Sequence, residues 1–277
     1  MIHFRLGESS RQYTSCRGLV RPAEGRPQVH YETGGSREYL DSERQCEKRE
    51  GGNRQARQEL CPGVVGSNSE CGGIPVATMN ISPCNACLSC MHKTLGVCAV
   101  EDDMQDIYTE LKKSDVLCLA TPVYLNNMSA QLKNVMDRSI CGMQGFLAKD
   151  RFGRVRHTFS WRMPARFLLI ATSGFPEMET FETLIATYRA QALNFGSEPV
   201  AAMCVPGSIA LQMEPERLDG HLSLLKQAGF ELGSKNSIDG DTLRQLNTPP
   251  LTADQYLTAA AKYEGWLRRK LGETSQG

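Results

Sequence analysis

Four cysteines fall within 15 residues in the pattern Cys84-x2-Cys87-x2-Cys90-x7-Cys98. Three thiols at intervals of three, on a loop that curls, can supply three corners of a [4Fe-4S] cubane, and a fourth cysteine a short way on closes it. Zinc sites more usually pair cysteines as two separate knuckles, because a tetrahedral ion needs two from each arm. The run also departs from bacterial ferredoxin, where the last interval is three residues and a proline follows. Here Pro83 precedes the first cysteine and Ala99 follows the last. The spacing favours an iron-sulfur cluster, with zinc and free thiols as the open alternatives. The chain has 11 cysteines in all. The other seven, Cys16, Cys46, Cys61, Cys71, Cys118, Cys141 and Cys204, are dispersed, and two of them, Cys118 and Cys204, lie inside apolar runs, where cysteine packs as a small hydrophobe.

A second group with chemical potential runs from Thr121-Pro122-Val123-Tyr124 through Met128 and Ser129 to Asp137-Arg138. It begins where an apolar run ends and continues into a helical pattern. A proline after a strand is ordinary turn chemistry, so the loop gains meaning only from what surrounds it.

The elements that must position these residues are legible from residue 61 onward. Met104, Ile107, Tyr108 and Leu111 recur at helical spacing and, with Asp102 and Gln105 as a capping box, predict a helix over about 103–113. VLCLA (116–120), FLLIA (167–171) and VAAMCV (200–205) are continuous apolar runs, as strands of a parallel sheet buried on both faces should be. Helices are expected from Met128 to Ile140, from Phe181 to near Gly196, at 215–229 and at 253–271, the last announced by a Thr252/Gln255 capping box. Alternating strands and helices predict an α/β fold, a doubly wound parallel sheet with helices on both faces. Ligands bind at the carboxyl ends of such strands. The loops to inspect are therefore Ser67 to Gly73, Thr121 to Ser129, Thr172 to Phe175 and Pro206 to Ser208.

The first 60 residues read differently. Twenty of them are charged, against 42 of the remaining 217. With so little apolar content and no period, residues 1–60 are expected to be a disordered extension, and 61–277 the folded domain. Lys and Arg together number 31, as do Asp and Glu, so the net charge is zero and a dedicated nucleic-acid or anionic-membrane binder is not expected. No apolar stretch approaches the roughly 20 residues that cross a bilayer, and MIHFRLGESSRQ lacks the apolar core of a secretory signal. A cytoplasmic location is the expectation.

In combination, the cysteine run, GVCAVEDDMQDIY, the following strand, TPVY and SAQLKNVMDR resemble the iron-sulfur flavoproteins of the NADPH-dependent FMN reductase family. The resemblance extends from about Ile81 past Pro206 and includes ATSGFPE (171–177). It implies a flavodoxin-like fold, FMN and a [4Fe-4S] cluster as cofactors, and electron transfer between them, with NAD(P)H or a ferredoxin as donor. It further implies that Cys84, Cys87, Cys90 and Cys98 ligate the cluster. Thr121, Pro122, Val123 and Tyr124 would line the isoalloxazine ring, with Met128 and Ser129 beside it, while Thr172, Ser173 and Gly174 cover it from the next loop. A homo-oligomer is implied as well, since the family's cluster loop lies near a subunit interface.

One stretch departs from that family. VVGSNSECGG (64–73) looks like the first strand and the start of the phosphate loop, with Ser67 and Asn68 toward FMN, yet only ten residues separate Gly73 from Cys84. A crossover helix and a second strand do not both fit there. VATMNI (76–81) is the candidate second strand, the phosphate helix is then missing, and a loss of sequence that also involves the first 60 residues is expected to weaken FMN binding. The basic run Lys149, Arg151, Arg154, Arg156, Arg162 and Arg166 reads as a solvated loop first and as an attractor of NADPH phosphates or an acidic partner second. His92 and His157 have no visible partner, and Asp102 with Asp103 read as capping residues. Two rivals stand beside the main reading: an NAD(P)H-dependent FMN or quinone reductase without a cluster, and a non-enzymatic zinc- or thiol-stabilised binding module.

Overall fold

A computed structural model describes residues 1–5, 60, 70–150, 152–211 and 213–272. Its five-stranded sheet contains β1 (Ile2–Arg5), β2 (Glu70–Gly73), β3 (Val116–Pro122), β6 (Arg166–Thr172) and β7 (Glu198–Val205), in the order β2-β1-β3-β6-β7. The last three run parallel, and β1 is antiparallel to both of its neighbours. Because successive side chains of a strand point to opposite faces, each central strand feeds two cores. Leu117 and Leu119 of β3 join Phe167 and Leu169 of β6 on one face, while Val116 and Cys118 join Leu168 and Ile170 on the other.

The first face is covered by α2 (Met104–Lys113), α3 (Ala130–Arg138) and α4 (Glu182–Asn194). Helices α6 (Asp219–Lys235) and α7 (Gly240–Leu246) cover the second. The short α5 (Ser208–Leu211) packs with α8 (Ala253–Lys270) in a satellite cluster. Helices on both faces of a sheet with a parallel core make this the doubly wound α/β architecture that the apolar runs predict. The Thr252/Gln255 capping box forms as expected, with each side chain bonded to the other's backbone N–H.

Several expectations are corrected. VATMNI is not a strand: Val76–Thr78 is a single 3-10 turn, while the crossover helix between Gly73 and Cys84 is missing, as the short spacing predicts. Ile2–Arg5, assigned by composition to the extension, forms β1 inside the sheet. The rest of that extension, residues 6–59, lies outside the described residues, as do Ser67 and Asn68. The basic run is not a plain loop. Lys149, Arg154 and Arg156 belong to a hairpin of β4 (Met143–Lys149) and β5 (Val155–Phe159), whose turn is tied by Asp150 to the amides of Phe152 and Arg154; Arg162 lies beyond it and pairs with Asp115, Arg166 opens β6, and Arg151 lies outside the described residues. Cys71 is disulfide-bonded. No helix among the described residues is long and apolar enough to cross a membrane.

Candidate functional site

The cysteine loop is held at both ends by one buried ion pair. On α3, Leu132, Val135 and Met136 form the apolar stripe, and Arg138, three residues beyond Val135, falls at its edge. A charge there must find a partner. Arg138 Nη1 stands 2.8 Å from Asp102 Oδ2, with side chains only 1% and 2% exposed, and Nη2 donates to Oδ1 at 3.1 Å. The same guanidinium donates to the carbonyl of Ser82, just before the first cysteine, at 2.7 Å, and to that of Val100, just after the last, at 3.4 Å. Asp102 in turn accepts from the amides of Ser82 and Met104, and Asp103 accepts from Asn80. Burial pushes the Asp102 carboxyl up, but Arg138 and those two amides outweigh it and hold the group below its ordinary value. The expected Asp102/Gln105 capping box does not form: the Asp103 side chain makes no cap bond to α2, and Gln105 Nε2 donates instead to the Val100 carbonyl, so the two aspartates chiefly clamp the segment that leads into the cysteines.

Between these clamps the chain curls. Ala86 and Leu88 both occupy the left-handed region, with φ of 54° and 55°, which turns the backbone on either side of Cys87. The short helix α1 (Ser89–His92) then carries Cys90 into the protein. At the far end Gly96 has φ of 75°, and a side chain there would stand 2.7 Å from Ser160 and 2.9 Å from Trp161. Trp161 fixes this end by donating from Nε1 to the Gly96 carbonyl at 3.3 Å.

The result is that Cys84, Cys87, Cys90 and Cys98 line one cavity of about 290 Å³, together with Asp137, Arg138 and Cys141. Ser89 amide and hydroxyl hold the Cys87 thiol below its ordinary value. Burial, and then the neighbouring Cys98, push Cys90 up. Cys141, buried and interacting with Cys90, is pushed up to about 12 by burial and by the charges of Cys90 and Cys98. The donor set suits an iron-sulfur cluster: four thiols around one cavity, beside a buried Arg138 Nε that has no hydrogen-bond partner and so would welcome a sulfur acceptor. The thiols surround the cavity without being drawn together, since no three His, Cys, Asp or Glu side chains among the described residues stand close enough to share a metal ion.

The second constellation sits at the carboxyl ends of adjacent parallel strands. β3 and β6 are in register from Val116↔Arg166 to Pro122↔Thr172, and the ladder continues as Val123 N–H donates to the Thr172 carbonyl at 2.8 Å. This brings Thr121 to Tyr124 beside Thr172 to Gly174. Ser173 N–H reaches Val205 of β7, and Ser208 N–H reaches the Ser173 carbonyl, which adds a third loop. The members divide by direction. Thr121 is fully buried: its hydroxyl accepts from Ser129 N–H at 3.0 Å and donates to the Pro122 carbonyl at 2.9 Å. Met128 is in the core, Ser129 caps α3 by accepting from Leu132 N–H, and Ser173 is buried with its hydroxyl bonded to Thr180. These four brace the loops from inside. Pro122, Val123, Thr172 and Gly174 are part-exposed, and Tyr124 is 62% exposed. Tyr124 and Asn127 close a two-residue turn in which Leu125 and Asn126 have φ of 46° and 64°, the left-handed pair of a tight hairpin turn.

The two constellations lie at opposite ends of α3, with Ser129 at its start and Asp137 and Arg138 at its finish. Cys118 and Cys204 are buried in β3 and β7, and burial pushes each thiol up to about 12. His157 shares a hydrogen bond of 2.7 Å with the Gln144 carbonyl inside the hairpin. The roles that sequence reasoning missed are those of Arg138, Cys141 and Trp161. Only Arg138 left a signal, a charge on an apolar stripe.

A model of the family described as NADPH-dependent FMN reductase matches residues 67–162. That stretch includes the cysteine loop, the Thr121–Tyr124 loop and the hairpin. The chain is 34% identical over 79 residues to the iron-sulfur flavoprotein of Methanosarcina thermophila, covering 28% of this chain and 40% of that one. It is 48% identical over 59 residues to an iron-sulfur flavoprotein of Archaeoglobus fulgidus, covering 21% and 29%. The matches thus span two fifths or less of the length of these curated relatives. Among solved structures, the NAD(P)H:quinone oxidoreductase from Methanothermobacter marburgensis aligns over 65% of this chain and 89% of its own, at 13% identity and a TM-score of 0.47.

Proposed function

We propose, for a chain whose residues 67–162 match the NADPH-dependent FMN reductase family, that the protein is an iron-sulfur flavoprotein oxidoreductase moving electrons between NAD(P)H or a ferredoxin, FMN and a [4Fe-4S] cluster. The observation that carries this reading is the single cavity lined by Cys84, Cys87, Cys90 and Cys98. Those four residues would hold the cluster. The loops at the ends of β3 and β6, with Pro122, Val123, Tyr124 and Gly174 facing outward, would hold the isoalloxazine ring. When bound, FMN supplies the exchange between hydride and single-electron chemistry, while the protein supplies binding, orientation and the tuning of potential. Thr121 and Ser129 fix the angle at which the outer loop meets α3. The reading includes a folded unit of residues 61–277 joined by β1, a cytoplasmic location and a homo-oligomer.

Anaerobic purification followed by iron, sulfide, zinc and flavin analysis tests it. Iron and sulfide in equal amount, with bound flavin, are expected; zinc without iron overturns the cluster assignment. The rival, a flavin reductase without a cluster, is favoured by the spacing of the thiols, no three of which share a metal-holding geometry. Stoichiometric FMN without iron or sulfide would be its signature.

A further inference from the structure

The cysteine cavity has one cationic lining residue, Arg138, and its guanidinium is buried, forked and already committed in direction. It joins the two ends of the loop through Ser82 and Val100, and it is locked by Asp102. From that fixed position Nη2 also reaches the sulfur of Cys98 at 3.5 Å. From the backbone side, the Tyr108 hydroxyl donates to the Arg138 carbonyl at 2.8 Å and holds the end of α3 in place.

We propose that Arg138 is a positioning residue for the cluster, clasping the ends of the cysteine loop and donating an N–H···S hydrogen bond to Cys98 that raises the cluster's reduction potential. This rests on the cluster reading above. Hydrogen bonds to ligand sulfurs are among the factors that set iron-sulfur potentials, and they favour the reduced state because it places more negative charge on sulfur. The guanidinium charge is cancelled locally by Asp102, so the influence on the cluster is that of a directed donor and not of a free cation. A lysine cannot substitute, since a single ammonium cannot reach Ser82, Val100, Asp102 and Cys98 at once. The unpartnered Nε gives the same side chain a further donor in this buried setting.

Two variants separate the donor from the charge. Arg138→Met alone leaves Asp102 buried and unpaired and is exposed to a folding defect. Asp102→Asn with Arg138→Met removes both charges together, so net charge is unchanged while the donor is lost. Each would be purified anaerobically beside the wild type. Iron and sulfide would be counted, thermal unfolding recorded, and the cluster potential measured by redox titration followed by electron paramagnetic resonance. A potential more negative than wild type in the folded double variant is expected, together with release of iron to a chelator about tenfold faster or more, the scale on which supporting contacts act at metal sites. A folded, cluster-loaded double variant with the wild-type potential overturns the proposal and leaves the cluster reading standing. Wild-type protein without iron and sulfide overturns the cluster reading and this inference with it. If neither variant retains a cluster that the wild type holds, Arg138→Lys decides between them: restored loading at the wild-type potential overturns the proposal, whereas loading at a more negative potential supports it.

Discussion

The indole of Trp161 occupies the space that a side chain on Gly142 would need: a Cβ built there would stand 2.8 Å from Cζ2. The same ring blocks Gly96, packs against Tyr108 with centroids 6.1 Å apart, and has the Lys112 ammonium 5.4 Å above it. One aromatic thus sets the separation between the cysteine loop, α2 and the turn that leads into β4.

Gly142→Ala is therefore expected to push Trp161 out of its seat and destabilise the protein by about 1–3 kcal/mol, the usual cost of overpacking. The denaturant midpoint should fall with an unchanged slope. A midpoint equal to wild type would mean that the indole moves freely.

Asp102 makes stability pH-dependent with a definite sign. Its folded pKa lies below its unfolded value of about 4, so its contribution is present above that pH and is lost as pH falls through the folded value. Asp102→Asn leaves Arg138 buried without a counter-charge and is expected to cost about 3–5 kcal/mol at neutral pH. The gap to wild type should narrow below about pH 4. Urea titrations from pH 3 to 7 check this; a constant gap would refute the ion pair's role.

Much of the fold was legible because its central strands are apolar runs and α2 and α3 carry clean apolar stripes. VLCLA, FLLIA and VAAMCV became β3, β6 and β7 because a strand buried on both faces cannot afford polar residues. The hairpin was not legible: its register shifts between Met143 and Leu147, and Phe146, Leu147 and Val155 are exposed, so no alternation marks an inner face. β1 has four residues and joins the sheet through backbone pairing, which leaves no composition to read. The same limit applied to the site. The cysteine spacing announced four donors, but Cys141 joins them from 43 positions after Cys98, and Asp102 meets Arg138 across 36 residues. Contacts of that separation exist only after folding.

Thr121→Val should loosen the loop that precedes α3. It removes the acceptor for the Ser129 amide and leaves a buried N–H unsatisfied, at about 1–3 kcal/mol. Ser129→Ala removes the helix cap and should cost about 1 kcal/mol. If the loop seats flavin, both variants should also bind FMN more weakly in a fluorescence titration; unchanged affinity would place the flavin elsewhere.

Thiol labelling should divide the cysteines by burial. In metal-free native protein, Cys84 and Cys87 are exposed and should react with iodoacetamide within minutes, whereas Cys118 and Cys204, buried and with thiols pushed up to about 12, should react only on unfolding. Peptide mass spectrometry reads the order. Rapid native labelling of Cys118 would contradict its place inside β3.

Helix α3 also works as a gauge. Its nine residues span about 13.5 Å at 1.5 Å per residue, and its two ends are pinned by different neighbours, Thr121 at the start and Asp102 at the finish. A single residue inserted in its middle would turn everything downstream by about 100°, swinging Arg138 away from the cysteine loop while the Ser129 end stayed where it was. The length of this helix, more than the identity of its exposed residues, keeps the two ends of the site in phase.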